Sequence, residues 1–180
     1  MRIIAWGKKW MPLVAFSTIV MLFALRLDVH LHQVSASMIN KPLPVFYAYD
    51  LQRLSQVYNK NNFLGKVSVL HIWSSWCRAC EQDNQLLLSL ARDKRVRFIG
   101  VNSLDNREEA LDWLSIYGNP YKGIIFDSTG RFAHQLGVYA APETYLIDRK
   151  GFIRYKVVGK LTRELWNRKI EPLISLYGGK

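Results

Sequence analysis

Residues Val67 to Cys80, VSVLHIWSSWCRAC, combine an apolar run, a turn rich in Ser and Trp, and two cysteines separated by two residues. The run from Val67 to Trp73 is almost continuously apolar and β-branched, which is typical of a buried central strand. The residues from Cys77 to about Leu90 indicate a helix, so both cysteines fall at its start. A Cys-x-x-Cys pair between a strand and a helix is typical of a thiol–disulfide redox site.

The position of the two cysteines predicts different roles for them. A helix N-terminus favours a thiolate through its unpaired N–H groups and its dipole, so Cys77 is the predicted nucleophile. Cys80, one turn further on, is placed to attack the resulting mixed disulfide and release the substrate. Arg78 adds positive charge beside Cys77, whereas Glu81 and Asp83 oppose it. The net effect on the thiol pKa therefore stays open.

Two other interpretations of the cysteine pair need ligands that the chain does not supply. A haem-attachment motif requires His after the second Cys, but Glu81 follows Cys80. A structural zinc site requires four ligands, and there is no second Cys-x-x-Cys pair, so His71 with His30 or His32 would have to complete it. We expect no metal ligands and no cofactor besides the redox-active cysteine pair.

Two side chains near the cysteines carry further hypotheses. By strand alternation, His71 is expected beneath the active site, where it either accepts a proton near the buried sulfur or is a core histidine bonded to the backbone. The residues leave both alternatives open. Trp76, adjacent to Cys77, is expected to shield the sulfurs and to contact substrate.

The composition predicts one globular domain with a short appendage. The chain has 180 residues, of which 49% are hydrophobic, so disorder is not expected. Its 25 Lys and Arg against 14 Asp and Glu give a net charge of +11. The densest basic group, Arg92 to Arg97, has no recognised nucleic-acid motif beside it, which favours a solvated face and no nucleic-acid partner.

The N-terminal segment predicts export. Positive residues precede a run of uncharged residues, Trp10 to Leu25, which is slightly short of the roughly 20 residues that span a bilayer, although Arg26 can snorkel. A signal peptide cleaved near Ser35 to Ser37 is the alternative. We favour an uncleaved anchor in the inner membrane. The predicted division is a cytoplasmic N-terminus at 1–9, a transmembrane signal anchor at 10–27, a linker at 28–40 and a domain at 41–180.

The remaining pattern alternates strands with helices and ends in a hairpin and a last helix. A short edge strand or hairpin arm is expected at 45–49, and 51–64 is expected to be mixed loop and turn. In the last helix, Pro172 should kink or restart the helix. The predicted strands are 67–73, 96–101, 124–126, 144–147 and 152–158, and the predicted helices are 77–90, 106–117, 131–136 and 162–177.

A second informative stretch, Gly137 to Asp148, reads GVYAAPETYLID. WCxxC after an apolar strand, followed by GVxxxPET, resembles the thioredoxin superfamily. More narrowly, KPLP at 41–44, NPY at 119–121 and IRY at 153–155 resemble the membrane-anchored thiol–disulfide oxidoreductases of cytochrome c maturation, the DsbE/CcmG family. The resemblance implies an α/β, thioredoxin-like fold: a central mixed sheet flanked by helices, preceded by an N-terminal transmembrane helix.

The same resemblance implies roles for four further residues. Pro142 would be a cis-proline that faces the cysteines, and the backbone of Ala141 would bind an extended substrate peptide. Glu143 and Asp83 would be acidic residues near the active site that raise the thiol pKa values and receive a proton during exchange. The chain departs from the family pattern between its cysteines, where it carries Arg78 and Ala79.

The implied activity is that of a periplasmic reductant. Such a protein takes electrons from a membrane thiol carrier and passes them to the haem-binding cysteines of apocytochrome c or to a thiol protein of the maturation system. A general periplasmic disulfide oxidant or isomerase is an alternative, because thiol–disulfide exchange is reversible. A metal-binding chaperone or noncatalytic docking domain that uses the groove beside Pro142 is an alternative of another class.

Overall fold

The computed structural model of the chain describes residues 10–23 and 38–178, which belong to two separate units. Residues 10–23 form helix α1. Across these two described ranges, no helix has both the length and the apolar character that a membrane crossing requires. The rest of the predicted anchor, most of the predicted linker and the two histidines His30 and His32 lie outside the described residues.

A five-stranded mixed sheet forms the centre of the unit that begins at Met38. The strand order is β5-β4-β3-β6-β7, in which β3, β4 and β5 are parallel, β6 runs antiparallel to them, and β7 runs antiparallel to β6. The apolar run of the opening stretch is therefore the middle strand, as its composition predicted. The strands are β3 (Ser68–Trp73), β4 (Arg97–Ser103), β5 (Gly123–Asp127), β6 (Glu143–Ile147) and β7 (Ile153–Val158).

Helices cover both faces of this sheet. One face carries α2, α3 and the C-terminal helix, and the other carries α4 and the N-terminal hairpin. Alternation along β3 sends Val69 and Trp73 to the first face and Leu70 and Ile72 to the second. The sheet is thus buried on both sides, which confirms the predicted α/β, thioredoxin-like class. The helices are α2 (Arg78–Leu90), α3 (Arg107–Tyr117), α4 (Arg131–Gln135), α5 (Arg163–Leu165) and α6 (Glu171–Gly178).

The region at 51–64, expected to be loop and turn, contains two regular elements. Strand β1 (Tyr47–Tyr49) pairs antiparallel with β2 (Val57–Asn59), and a 3-10 helix (Lys60–Phe63) follows. The expectation was wrong because a three-residue strand is too short for side-chain alternation to mark it. The hairpin contributes Tyr58 to the core beside Gly123, where the missing Cβ leaves room for the tyrosine hydroxyl.

The predicted hairpin between β6 and β7 is confirmed, with its turn at 148–151. The Asp148 carboxylate accepts hydrogen bonds from the backbone N–H groups of Lys150 and Phe152. Gly151 adopts a φ of 82°, a conformation that favours glycine. The strand and helix ends differ from the predicted ends by a few residues; α2, for example, starts at Arg78, with Cys77 as its N-cap.

The C-terminal helix contains a π-helical turn just before Pro172, where the sequence predicted a kink or a restart. Between α5 and α6, residues Trp166–Ile170 are π-helical, and the backbone N–H of Glu171 donates to the carbonyl of Trp166. Pro172 lacks an N–H and its ring crowds the carbonyl four residues earlier, so a wider turn before it removes both problems. Pro172 is then the second residue of α6.

Residues Met38 to Asn40, assigned from sequence to the linker, form a turn within the domain. The backbone N–H of Asn40 donates to the carbonyl of Ile153, at 2.7 Å. The N–H of Ile153 in turn donates to the carbonyl of Lys41, at 2.9 Å. The chain therefore enters the domain beside the start of β7.

Candidate active site

Cys77 and Cys80 lie at the start of α2, directly after the central strand, and are joined by a disulfide. Cys77 is the N-cap residue of α2, and no side chain caps this end of the helix. Cys77 is 5% exposed and Cys80 is 1% exposed, so the sulfur pair is largely covered, with Cys77 nearer the surface. This order fits attack by Cys77 and resolution by Cys80, although Cys77 is less exposed than its predicted role suggested.

The turn that carries the cysteines is fastened to β4 by a network that the sequence did not reveal. The Asp105 carboxylate accepts hydrogen bonds from the backbone N–H and the hydroxyl of Ser75, both at 2.6 Å. It also accepts from the side chain of Asn102, at 2.6 Å. Ser74 donates to the carbonyl of Ser103, at 2.6 Å. The only sequence signal was an Asp directly before a predicted helix cap.

Trp76 lies on the surface and is 62% exposed. Its indole N–H donates to the carbonyl of Leu104, at 3.0 Å, so the ring leans toward the loop after β4. It lines a groove of about 500 Å³ that also contains Leu104 and Tyr139 and that ends at Ala141. The basic side chains Arg131 and His134 lie along the same groove. Trp76 therefore forms one wall of an apolar groove beside the cysteines.

The peptide bond between Ala141 and Pro142 is cis, as the resemblance implied. Ala141 packs against the hydrophobic cluster that contains Cys77 and Cys80. The carbonyl of Pro142 accepts a hydrogen bond from the N–H of Gly159, at 2.9 Å, which ties it to the end of β7. The start of β6 thus presents the cis peptide bond next to the disulfide.

Glu143 is completely buried at the start of β6 and all its contacts are within the domain. One carboxylate oxygen accepts from the backbone N–H of Tyr139, at 3.0 Å, and the other accepts from the hydroxyl of Tyr145, at 2.7 Å. The amine of Lys156 lies 3.0 Å from the second oxygen. Burial, first, and then the Glu143 carboxylate raise the pKa of the Tyr145 hydroxyl. Glu143 therefore holds the loop that precedes the cis peptide bond.

Asp83 is also completely buried and lies one helical turn after Cys80. Both of its carboxylate oxygens accept from the backbone N–H of Leu161, at 3.1 and 3.0 Å. Burial raises the pKa of this carboxyl to about 6, although the hydrogen bond from Leu161 and the charge of Lys160 act in the opposite direction. A carboxyl with this pKa exchanges its proton near neutral pH.

His71 lies in the middle of β3 with its ring buried. Nδ1 is 3.0 Å from the hydroxyl of Thr144, and Nε2 has no hydrogen-bond partner among the described residues. The ring stacks at 6.3 Å from Tyr121, whose buried hydroxyl likewise has no partner among them. Burial lowers the pKa of His71 to about 3, so the imidazole is neutral at physiological pH. His71 is therefore a buried core histidine, but its hydrogen bond is to the side chain of Thr144 and not to the backbone, as the core alternative predicted.

Within the described part of the chain, no group of three or more His, Cys, Asp or Glu side chains is arranged to hold a metal ion. The features that surround Cys77 and Cys80 are instead a helix start, a cis peptide bond and a buried carboxyl. In a mixed sheet whose central strand leads into the cysteines, these features define a thioredoxin-like thiol–disulfide oxidoreductase.

Comparison with known proteins agrees with this class. The family model described as Redoxin matches residues 38–171. The thiol:disulfide interchange protein DsbE of Allochromatium vinosum is 36% identical over 170 residues, covering 94% of each chain. DsbE of Tatumella citrea is 41% identical over 145 residues, covering 80% of this chain and 78% of the relative. The chain belongs to the Redoxin family and, within it, to the DsbE thiol:disulfide interchange proteins.

Solved structures share the same fold. A secreted thiol-disulfide isomerase from Corynebacterium glutamicum has a TM-score of 0.62 and 23% sequence identity, and the match covers 74% of this chain and 85% of that one. A DsbF homologue from Corynebacterium diphtheriae has a TM-score of 0.61 and 22% identity, covering 73% and 86% respectively.

Proposed function

We propose that this oxidoreductase is a membrane-anchored reductant of the periplasm that acts in cytochrome c biogenesis. Its substrates are the disulfide-bonded haem-binding cysteines of apocytochrome c or a thiol protein of the maturation system. A membrane thiol carrier supplies the electrons, and the N-terminal segment attaches the chain to the bacterial inner membrane.

In the proposed reaction, the Cys77 thiolate attacks one sulfur of the substrate disulfide. A mixed disulfide forms, and the other substrate sulfur leaves as a thiolate that takes up a proton. The Cys80 thiolate then attacks the sulfur of Cys77, which restores the Cys77–Cys80 disulfide and releases the second substrate thiol. Two electrons pass to the substrate, and the membrane carrier returns them to the cysteine pair.

The direction of electron flow rests on one observation, the buried Asp83 carboxyl one turn after Cys80. A strong oxidant needs a reduced form that is stabilised by a low-pKa thiolate. Here the negative charge of the buried Asp83 opposes a thiolate nearby. This repulsion favours the disulfide form of the protein, and a protein that prefers its disulfide form is a reductant.

The groove between Trp76 and Ala141 supports binding of an extended polypeptide. Its apolar walls suit a substrate side chain next to the reacting cysteine, and the backbone of Ala141 at the cis peptide bond is available to an extended strand. Asp83 is positioned to exchange a proton during resolution because its pKa of about 6 is close to neutral pH.

Equilibration of the full-length protein with glutathione buffers tests the direction. We expect a reduction potential below about −200 mV, in the range of thioredoxin and the glutaredoxins. A potential near the roughly −120 mV of a strong oxidant would support the general periplasmic oxidant instead.

Cysteine variants test the chemistry with a disulfide-bonded peptide that contains the Cys-x-x-Cys-His motif. With the Cys80→Ser variant, a mixed disulfide through Cys77 should accumulate, because no resolving thiol remains. With Cys77→Ser, neither a mixed disulfide nor peptide reduction is expected. Peptide reduction by either variant at the rate of the parent protein would contradict the assigned roles.

A further inference from the structure

The basic side chains of the domain are concentrated at one of its ends. The strands β3, β4 and β5 all begin at the end opposite the cysteines, and β6 turns into β7 there. Helix α2 runs from the cysteines back toward this end. This basic end carries ten basic side chains: Lys41, Lys66, Arg92, Lys94, Arg95, Arg97, Lys122, Arg149, Lys150 and Arg154.

The acidic side chains at the basic end are too few to neutralise its positive charge. Asp93 and Glu171 both pair with Arg95, and Asp148 pairs with Arg154. Most of the remaining basic side chains are exposed to solvent and have no ion-pair partner in the described part of the chain. The end that carries the cysteines is more nearly balanced, because its exposed basic side chains, Arg78, Arg131 and Lys160, are accompanied by exposed acidic side chains, including Glu108 and Glu109 at the start of α3.

The chain also enters the domain at the basic end. Asn40 and Lys41 are bonded through their backbone groups to Ile153, at the start of β7. A membrane attachment through the preceding residues would therefore tether the domain at its basic end, which is the end opposite the cysteines.

We infer that the basic end docks on a surface of anionic phospholipid headgroups while the cysteine pair faces away from it. This inference rests on the membrane attachment in the proposed function. Basic side chains near a membrane surface are attracted to anionic lipid over about one Debye length, roughly 8 Å at physiological salt. The cations are spread over the end of a sheet and do not follow a single groove, which favours a lipid surface over single-stranded nucleic acid.

Docking in this orientation keeps the redox site accessible. The six residues of β3 separate the basic end from the cysteines by about 20 Å at the usual rise of a strand. The disulfide and the groove beside Trp76 are then directed toward substrates that approach from the aqueous side.

Lysine acetylation of the full-length protein in lipid nanodiscs tests the orientation. One nanodisc preparation contains phosphatidylcholine alone, and the other contains an added fraction of phosphatidylglycerol. We expect a water-soluble acetylating reagent to modify Lys66, Lys122 and Lys150 about fivefold more slowly in the anionic nanodiscs. Lys160, near the cysteines, should react at the same rate in both preparations. Salt at 0.5 M shortens the Debye length to about 4 Å and should remove the difference between the two lipids.

A matched pair of charge reversals makes the test specific. Lys66→Glu combined with Lys150→Glu should restore acetylation of Lys122 in anionic nanodiscs. Arg131→Glu combined with Lys160→Glu changes the net charge equally but lies at the other end, and it should leave the protection of Lys122 unchanged. Equal acetylation rates in the two lipids, or the same loss of protection with both variants, would overturn the inference.

Failure of the proposed function gives a different result. If the full-length chain does not incorporate into nanodiscs, the membrane anchor is wrong, and the same acetylation comparison with added phosphatidylglycerol vesicles decides whether the basic end binds lipid. Peptide disulfide reduction, measured in parallel, reports on the redox activity independently of docking.

Discussion

Both oxygens of the Asp83 carboxylate accept hydrogen bonds from one backbone N–H, that of Leu161, on the segment that follows β7. In the part of the chain that the structure describes, the Leu161 amide and the charge of Lys160 are the groups that compensate this completely buried carboxylate. Burial outweighs these two groups and raises the pKa of Asp83 from 3.8 to about 6. The folded protein therefore binds this proton more tightly than the unfolded chain does, and its stability falls as the pH rises from about 4 to about 6.

We expect Asp83→Asn to stabilise the protein at pH 7.5, by about 1 to 3 kcal/mol, because the buried charge is removed. At pH 4 the gain should be small, since the carboxyl is then protonated in the folded state. Urea unfolding at the two pH values measures the difference. Asp93→Asn is the control, and it should destabilise the protein at pH 7.5, because a hydrogen bond from Arg95 lowers the pKa of Asp93. A destabilisation of Asp83→Asn that is equal at both pH values would show that lost packing dominates.

The buried ion pair between Glu143 and Lys156 gives a second prediction. Glu143→Gln leaves the Lys156 amine almost completely buried without its counter-charge, which typically costs about 3 kcal/mol of unfolding free energy. The double variant Glu143→Gln, Lys156→Met removes both charges, so we expect it to recover most of that loss. Unfolding of the four proteins in urea forms a double-mutant cycle. If the double variant is as unstable as the sum of the single variants, the two side chains do not interact.

The sequence predicted the parts of the site that are local in the chain. The apolar run of β3, the two cysteines and the hairpin at 148–151 each have a signal within a few neighbouring residues. The pair of Glu143 and Lys156 has none, because it depends on the register in which Tyr145 lies opposite Lys156. The same holds for Asp105 and Ser75, which are 30 residues apart in the chain.

His71 gives a prediction about acid stability. Burial lowers the pKa of its imidazole from 6.5 to about 3, so the unfolded chain binds the proton more tightly between these values. Stability contributed by the neutral ring is complete above about pH 6.5 and is lost as the pH falls toward 3. We expect His71→Gln to make the unfolding free energy less dependent on pH between 6.5 and 4. His134→Gln, the same substitution at an exposed position, is the matched control.

Asp105 gives the prediction that links the fold to the chemistry. Its carboxylate holds the backbone N–H and the hydroxyl of Ser75, two residues before Cys77, and the side chain of Asn102 on β4. Asp105→Ala removes these hydrogen bonds, so we expect a loss of about 1 to 2 kcal/mol in unfolding free energy. The turn that carries Cys77 would also be less well positioned, and peptide disulfide reduction should slow by about tenfold or more. Glu108→Ala, an exposed acidic neighbour on α3, removes the same charge without touching the turn and should retain the parent rate. A rate for Asp105→Ala that equals the Glu108→Ala rate would show that the network stabilises the fold without positioning the nucleophile.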